Sequence, residues 1–132
     1  MSQLETRRIP EDRPDVTAPD GSEIRLVSVS LSGGSMVNCR LEPGGVTHAV
    51  YHRTVEEMWY CVRGQGRLWR RLGEAAETVE LTAGVGVSIP LGASFQFRND
   101  GDETLEIIIA TVPPWPGEQE AVRCDGPWTP SV

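Results

Sequence analysis

The only two histidines of the chain and a nearby glutamate are its clearest candidates for chemistry. They are His48, His52 and Glu57. A histidine exchanges a proton near neutral pH, and a carboxyl group in apolar surroundings has a raised pKa, so His52 and Glu57 could act as a general acid–base pair. The same two side chains could instead form a purely structural hydrogen-bonded pair inside the fold. Both interpretations require His52 and Glu57 to point inward.

Strand alternation predicts which other side chains accompany this pair. Side chains two positions apart share one face of a strand, so an inward His52 predicts that Val50 and His48 also point inward. Aromatic residues on other predicted strands could wall the same space, where they would either stack on a flat ligand or fill the core. The candidate ligand-binding residues are His48, Val50, Trp59, Trp69, Phe95 and Phe97.

The candidate side chains must be positioned by β-strands. The sequence contains short β-branched and aromatic runs, separated by turn signals every 8–12 residues. This pattern predicts an all-β sandwich or barrel over residues 21–112. We expect residues 1–20 to form a flexible N-terminal arm and residues 113–132 to form a Pro- and Trp-rich tail that packs on the barrel. Residues 73–78 favour a helix by composition but are too few, and we expect a loop there.

Two further patterns refine this picture. The segment Asn99-Asp100-Gly101-Asp102 is a hairpin signal. The near-continuous apolar run of residues 105–112 is typical of a strand that is buried on both faces.

Two clusters of glycines and polar residues resemble the paired sequence motifs of the cupin family. The first cluster fits G-x5-H-x-H-x3,4-E-x6-G at Gly44, His52, Glu57 and Gly64. The second cluster fits G-x5-P-x-G-x2-H-x3-N at Gly84, Pro90, Gly92 and Asn99. The match favours Glu57 over Glu56, because only Glu57 has six residues between itself and Gly64. Glu56 is then expected to face solvent.

The resemblance implies a double-stranded β-helix, the jelly-roll barrel of cupins. In metal-binding members three histidines and a glutamate converge on the ion, but Val50 and Phe95 stand at two of the histidine positions here. We therefore expect no metal cofactor. The fallback is a divalent transition metal held by His48, His52 and Glu57, although two histidines four residues apart lie about 13 Å apart on an extended strand at ~3.3 Å per residue.

Three functions remain open at this point. The first is a small-molecule-binding cupin that works as a metal-independent isomerase, lyase or cyclase through His52 and Glu57. The second is a metal-dependent oxygenase or hydrolase with a rearranged site. The third is a non-catalytic module for ligand binding or dimerisation. The partner is expected to be a small molecule of unknown identity, and the resemblance implies a homodimer, with the strand at residues 22–31 as a candidate for exchange between subunits.

Composition excludes several other classes of partner. The chain has 132 residues and a formal net charge of −7, with no basic stripe, which argues against binding to nucleic acid or an anionic membrane. No apolar run approaches the ~20 residues of a membrane span, and the N-terminus lacks a secretory signal, so a cytoplasmic location is expected. The cysteines Cys39, Cys61 and Cys124 have neither disulfide-framework nor zinc-site spacing.

Overall fold

The computed structural model describes residues 4–132, which fold into two antiparallel β-sheets that face each other, without any helix in this range. The strands are β1 (Val16–Thr17), β2 (Glu23–Ser28), β3 (Ser35–Leu41), β4 (Val50–His52), β5 (Glu56–Arg63), β6 (Gln65–Leu72), β7 (Ala75–Thr82), β8 (Gly86–Ile89), β9 (Ser94–Asn99), β10 (Leu105–Val112) and β11 (Ala121–Arg123). The predicted all-β jelly-roll barrel is confirmed.

The order of strands in the sheets brings distant parts of the chain together. One sheet has the order β1-β2-β3-β10-β5-β8, and the other has the order β11-β4-β9-β6-β7. Within the first sheet, Thr111 lies opposite Glu57. Within the second sheet, Val50 lies opposite Phe95 and Ala121 lies opposite His52. These registers place all the candidate strands around one interior.

Tight turns that glycine permits connect these strands. All four motif glycines, Gly44, Gly64, Gly84 and Gly92, have positive φ. Gly64 shows the constraint most clearly, because its φ is 93° and a Cβ there would lie 2.7 Å from the backbone of Thr104 and Leu105. Only glycine fits such a position without moving the neighbouring chain. The motif glycines therefore define the corners of the barrel.

Inward-facing side chains from both sheets form the core. Burial alternates along β5 and β10, as expected for strands with one face to the interior. The expectation that residues 105–112 are buried on both faces is wrong, because Glu106, Ile108 and Ala110 remain partly accessible on the outer face.

Two local expectations also differ from the structure. Residues 75–82 form strand β7, which pairs along its whole length with β6, so only Gly73 and Glu74 make the turn. The hairpin expected at residues 99–102 is instead a turn between the two sheets, since β9 pairs with β4 and β6 whereas β10 pairs with β3 and β5. Asn99 supports this turn by donating to the carbonyl oxygens of Leu41 and Glu103 and accepting from the Gly101 amide.

Residues 4–20 of the predicted flexible N-terminal arm lie against the barrel, and residues 1–3 lie outside the described residues. Val16–Thr17 pairs with β2, and Arg7 forms a 2.7 Å ion pair with Asp15. Arg25 donates a hydrogen bond to the carbonyl oxygen of Pro10. These polar contacts hold the N-terminal segment against the barrel, although the segment has little apolar surface.

The C-terminal tail also contacts the barrel. Its strand β11 pairs with β4, and buried Gln96 of β9 donates to the Trp128 carbonyl oxygen and accepts from the Trp128 amide. Within residues 4–132 no helix is long and apolar enough to cross a membrane.

Candidate functional site

A cavity of about 360 Å³ lies between the two sheets. Its wall combines strands from both sheets with residues 16–20 of the N-terminal segment and with Pro114, Trp115, Gly117 and Glu118 of the tail. Most of the wall is apolar. Its titratable members are Asp20, Cys39, His52, Glu57 and Glu118. A volume of this size is at the small end of the range for small-molecule sites.

Glu57 points into this cavity from β5 and is 7% exposed. The indole Nε1 of Trp59 donates a 3.0 Å hydrogen bond to Oε1, and the hydroxyl of Thr111 donates a 2.8 Å hydrogen bond to Oε2. Burial raises the pKa of Glu57 to about 7, even though these two hydrogen bonds lower it. The carboxyl group can therefore gain or lose a proton near neutral pH.

His52 points into the same cavity from β4 and is 5% exposed. Its Nδ1 is buried and has no hydrogen-bond partner within residues 4–132. Burial lowers the pKa of His52 to about 4, and the nearby charge of Glu120 only partly opposes this. The imidazole is thus neutral at physiological pH, and it has a polar atom for which the fold supplies no partner.

His52 and Glu57 share the cavity but do not form the hydrogen-bonded pair that the sequence suggested. Among the described residues, the carboxylate partners are Trp59 and Thr111. The physical reason is that the register of β5 and β10 brings the Thr111 hydroxyl opposite Glu57. Both groups are therefore free to contact a third molecule.

Aromatic rings pack around the imidazole and form much of the wall. The His52 ring packs edge-to-face against Phe95 and Trp115, with centroids 5.1 Å apart in each case. Trp59 makes the same kind of contact with Phe95 at 5.4 Å and with Phe97 at 5.1 Å. Of the candidate ligand-binding residues, Val50, Trp59, Phe95 and Phe97 all line the cavity.

Two candidate ligand-binding residues lie elsewhere. His48 precedes strand β4, so the strand alternation does not extend to it, and its Nε2 lies 3.0 Å from the carbonyl oxygen of Val132. Trp69 follows the fully buried Leu68 on β6 and therefore lies on the outer face of its sheet. The expectation that these two side chains face the interior is wrong.

The donor set around the cavity does not fit a divalent metal. Residues 4–132 contain no group of three or more His, Cys, Asp or Glu side chains that could hold an ion. The fallback site at His48, His52 and Glu57 is not assembled, because His48 turns to the C-terminal residue. The remaining usual positions carry Val50 and Phe95, which have no donor atoms.

Three residues of the site were not found by sequence reasoning. Asp20 is 7% exposed, lines the cavity and accepts hydrogen bonds at Oδ1 from the amide and hydroxyl of Ser22. Asp20-Gly21-Ser22 is a turn pattern that could have marked a local structure, but nothing in it indicates the cavity. Thr111 and Trp115 come from the end of β10 and the tail, and no sequence signal connects them with Glu57 or His52.

A family model described as the cupin domain matches residues 37–111, more than half of the chain. The chain therefore belongs to the cupin family. No sequence among the curated proteins matches it significantly.

Solved structures with the same fold include two kinds of larger protein. The capsular polysaccharide assembling protein CapF from Staphylococcus aureus superimposes with a TM-score of 0.72 at 16% identity, over 92% of this chain and 35% of that chain. Oxalate decarboxylase from Bacillus subtilis superimposes with a TM-score of 0.67 at 18% identity, over 81% of this chain and 28% of that chain. The oxalate decarboxylase from Lactobacillus farciminis superimposes with a TM-score of 0.66 at 21% identity, over 76% of this chain and 31% of that chain. The chain thus spans about a third of the length of these proteins. The Bacillus enzyme is described with Mn(II) centres.

Proposed function

We propose that the interior cavity is the ligand site of this cupin, and that Glu57 exchanges a proton with the bound molecule while neutral His52 binds its polar group. An isomerase, lyase or cyclase that needs no metal would use its residues in this way. The observation that carries the proposal is the unpartnered, buried Nδ1 of His52 in the same cavity as the buried carboxyl group of Glu57.

The unpartnered nitrogen supports a ligand because buried polar atoms are rarely left without a partner. Leaving such an atom unsatisfied costs about 1–3 kcal/mol. A ligand hydroxyl could donate to the imidazole or accept from it, so it would satisfy Nδ1 in either tautomer. The apolar wall would hold the rest of the molecule through Val50, Phe95 and Trp115.

The two titratable groups divide the chemistry between them. A carboxyl group with a pKa of about 7 is present in both protonation states at neutral pH, so Glu57 can act as acid or base. An imidazole with a pKa of about 4 is a weak base, so His52 suits hydrogen bonding and positioning better than proton abstraction. This assignment refines the symmetrical pair expected from the sequence. A metal-dependent reaction would need three or more donor side chains grouped around one point, and residues 4–132 contain no such group.

The test uses the indole N–H signals of the four tryptophans in two-dimensional ¹H–¹⁵N NMR spectra during titration with 2-phenylethanol, which has an aromatic ring and one hydroxyl group. Trp59 and Trp115 line the cavity, whereas Trp69 and Trp128 do not. Binding in the cavity should shift the first two signals and leave the other two unchanged. The variant His52→Asn should weaken binding, and the matched control His48→Asn, outside the cavity, should not.

Shifts confined to Trp69 or Trp128 would contradict the proposal, since they would place the molecule on the outer surface. Equal weakening by His48→Asn and His52→Asn would also contradict it. The proton-exchange role is tested separately by following the ¹³C signal of the Glu57 carboxyl group from pH 4 to pH 9. A midpoint near 7 is expected, and a midpoint near the ordinary value of 4.5 would remove Glu57 as the proton carrier.

A further inference from the structure

We propose that the cavity selects a small organic cation, an amine with an apolar body, over neutral and anionic molecules of the same shape. This inference rests on the proposed function, because it names the ligand class of the same site. Three acidic side chains line the cavity, namely Asp20, Glu57 and Glu118, and the described wall contains neither arginine nor lysine.

The two buried carboxyl groups have no ion-pair partner in the described part of the chain. Asp20 and Glu57 are each 7% exposed, and neither takes part in an ion pair with an arginine or histidine within residues 4–132. Both hydrogen bonds to the side chain of Asp20 reach Oδ1, which leaves Oδ2 for a ligand. Buried carboxylates ordinarily have a cationic partner, and the described wall of this cavity supplies none for Asp20 and Glu57.

The pKa shifts of the neighbouring groups agree with an excess of acidic groups in the cavity. Burial is the main cause of the raised pKa of Glu57, and Asp20 and Glu120 raise it further. The thiol of Cys39, in the same wall, also has a raised pKa, caused first by burial and then by Asp20. An ionised Asp20 therefore disfavours ionisation of both Glu57 and Cys39.

The groups that could offset this charge do so weakly. His52 is neutral because burial lowers its pKa to about 4. His48 and Arg123 lower the pKa of Asp20 slightly, but both lie outside the cavity wall, and burial raises that pKa more. A bound ammonium group would supply the missing positive charge directly.

The aromatic wall suits the same ligand. An ammonium group loses its water on entering an apolar cavity, and this cost is recovered only through charged hydrogen bonds and ring faces. Glu57 and Asp20 offer the carboxylate oxygens, while Trp59, Trp115 and Phe95 offer the rings. An anion in the same place would oppose ionisation of both carboxyl groups, and the described wall would offer it no arginine or lysine.

Cation binding should be coupled to the ionisation of Glu57. The charged or titratable groups around it are Asp20, Cys39, His52, Glu118 and Glu120, from both sheets and both terminal segments. A bound cation favours the ionised carboxylate, so its affinity should rise about tenfold between pH 6 and pH 8 as the free carboxyl group with a pKa of about 7 loses its proton. A neutral ligand should not have this dependence.

The test compares three probes of one shape and different charge by isothermal titration calorimetry at pH 7.5. The probes are phenethylamine, 2-phenylethanol and 3-phenylpropionate, with charges of +1, 0 and −1. Phenethylamine should bind at least tenfold more tightly than 3-phenylpropionate. The variants Asp20→Asn and Glu57→Gln should each weaken phenethylamine at least fivefold and leave 2-phenylethanol nearly unchanged.

The matched control is Glu56→Gln, which removes the same charge from the adjacent, exposed position of β5. It should leave all three affinities unchanged, which separates a local effect from the net charge of the protein. Tighter or equal binding of 3-phenylpropionate overturns the inference while the cavity remains a ligand site, and so does full retention of phenethylamine affinity in the Asp20→Asn/Glu57→Gln double variant. Absence of binding by all three probes overturns the proposed ligand site itself, and this inference with it.

Discussion

The indole Nε1 of Trp59 donates a 3.0 Å hydrogen bond to Oε1 of Glu57, two residues earlier on the same strand. Both side chains face the cavity because alternate residues of a strand share a face. The hydroxyl of Thr111, from the neighbouring strand, takes the other carboxylate oxygen. The carboxyl group is therefore held in one orientation while burial keeps its pKa near 7. This combination of fixed position and ready titration leads to the predictions below.

Glu57→Gln should change the pH dependence of stability. The folded pKa of about 7 lies above the ordinary value of 4.5, so the contribution of Glu57 to stability is complete below pH 4.5 and is lost as the pH rises through 7. The loss is about 3 kcal/mol at most. The variant should therefore gain stability relative to wild type by up to this amount between pH 4 and pH 8, as measured by urea denaturation.

Glu56→Gln is the control for this experiment, because Glu56 is exposed on the opposite face of the same strand. It should change stability by less than about 0.5 kcal/mol at any pH. A constant difference between Glu57→Gln and wild type from pH 4 to pH 8 would contradict the raised pKa.

His52 should remain neutral in the folded protein far below the usual midpoint of histidine. Its folded pKa of about 4 lies below the ordinary value of 6.5, so its contribution to stability is complete above pH 6.5 and is lost as the pH falls through 4. Ring ¹⁵N chemical shifts, assigned with the variant His48→Gln, should show one protonated and one bare nitrogen for His52 at pH 5.5. Two protonated nitrogens at that pH would refute the assignment.

Thr111→Val should destabilise the fold more at high pH than at low pH. The hydroxyl donates a 2.8 Å hydrogen bond to Glu57, and a bond to an ionised acceptor contributes about 1.5–3 kcal/mol. The free energy of unfolding of the variant should therefore be lower than that of wild type by about 2 kcal/mol at pH 8 and by less at pH 5. The substitution should also raise the pKa of Glu57 further. Denaturation curves at the two pH values, with the ¹³C titration of Glu57, provide the measurement. An equal loss at both pH values would indicate a packing effect alone.

Gln96→Leu should loosen the C-terminal tail. Gln96 is fully buried and donates to the carbonyl oxygens of Thr47 and Trp128 while it accepts from the Trp128 amide. Loss of these bonds should cost about 2–4 kcal/mol and expose the tail to limited proteolysis. The control Gln65→Leu changes an exposed side chain and should leave cleavage unchanged. Cleavage equally slow in both variants would contradict an anchoring role for Gln96.

Gly64→Ala should be far more destabilising than Gly73→Ala. Both glycines have positive φ, but a Cβ at Gly64 would lie 2.7 Å from backbone atoms of Thr104 and Leu105, whereas the space around Gly73 is open. Strain alone costs about 1–2 kcal/mol, and the clash at Gly64 adds to it. Thermal unfolding of the two variants measures the difference, and equal midpoints would show that the turn can move aside.

Much of the fold could be predicted because its signals are local. The motif glycines and Asn99 act through the conformation of their own turns, which a short stretch of sequence specifies. The placement of His48 could not be predicted in this way. Alternation applies only where a strand exists, and strand β4 begins at Val50 rather than at His48.

By itself, the sequence determined an all-β sandwich or barrel and the positions of its glycine turns, because glycine conformations and strand periodicity depend on neighbouring residues. The motif resemblance added the jelly-roll barrel and the candidate pair His52 and Glu57. Only the tertiary structure decided which residues surround His52 and Glu57. Asp20, Thr111 and Trp115 reach the cavity through strand order and through the seating of both terminal segments. The charge of the site, the burial of its side chains and their pKa values all depend on residues that are distant in sequence. A local sequence pattern therefore cannot predict them.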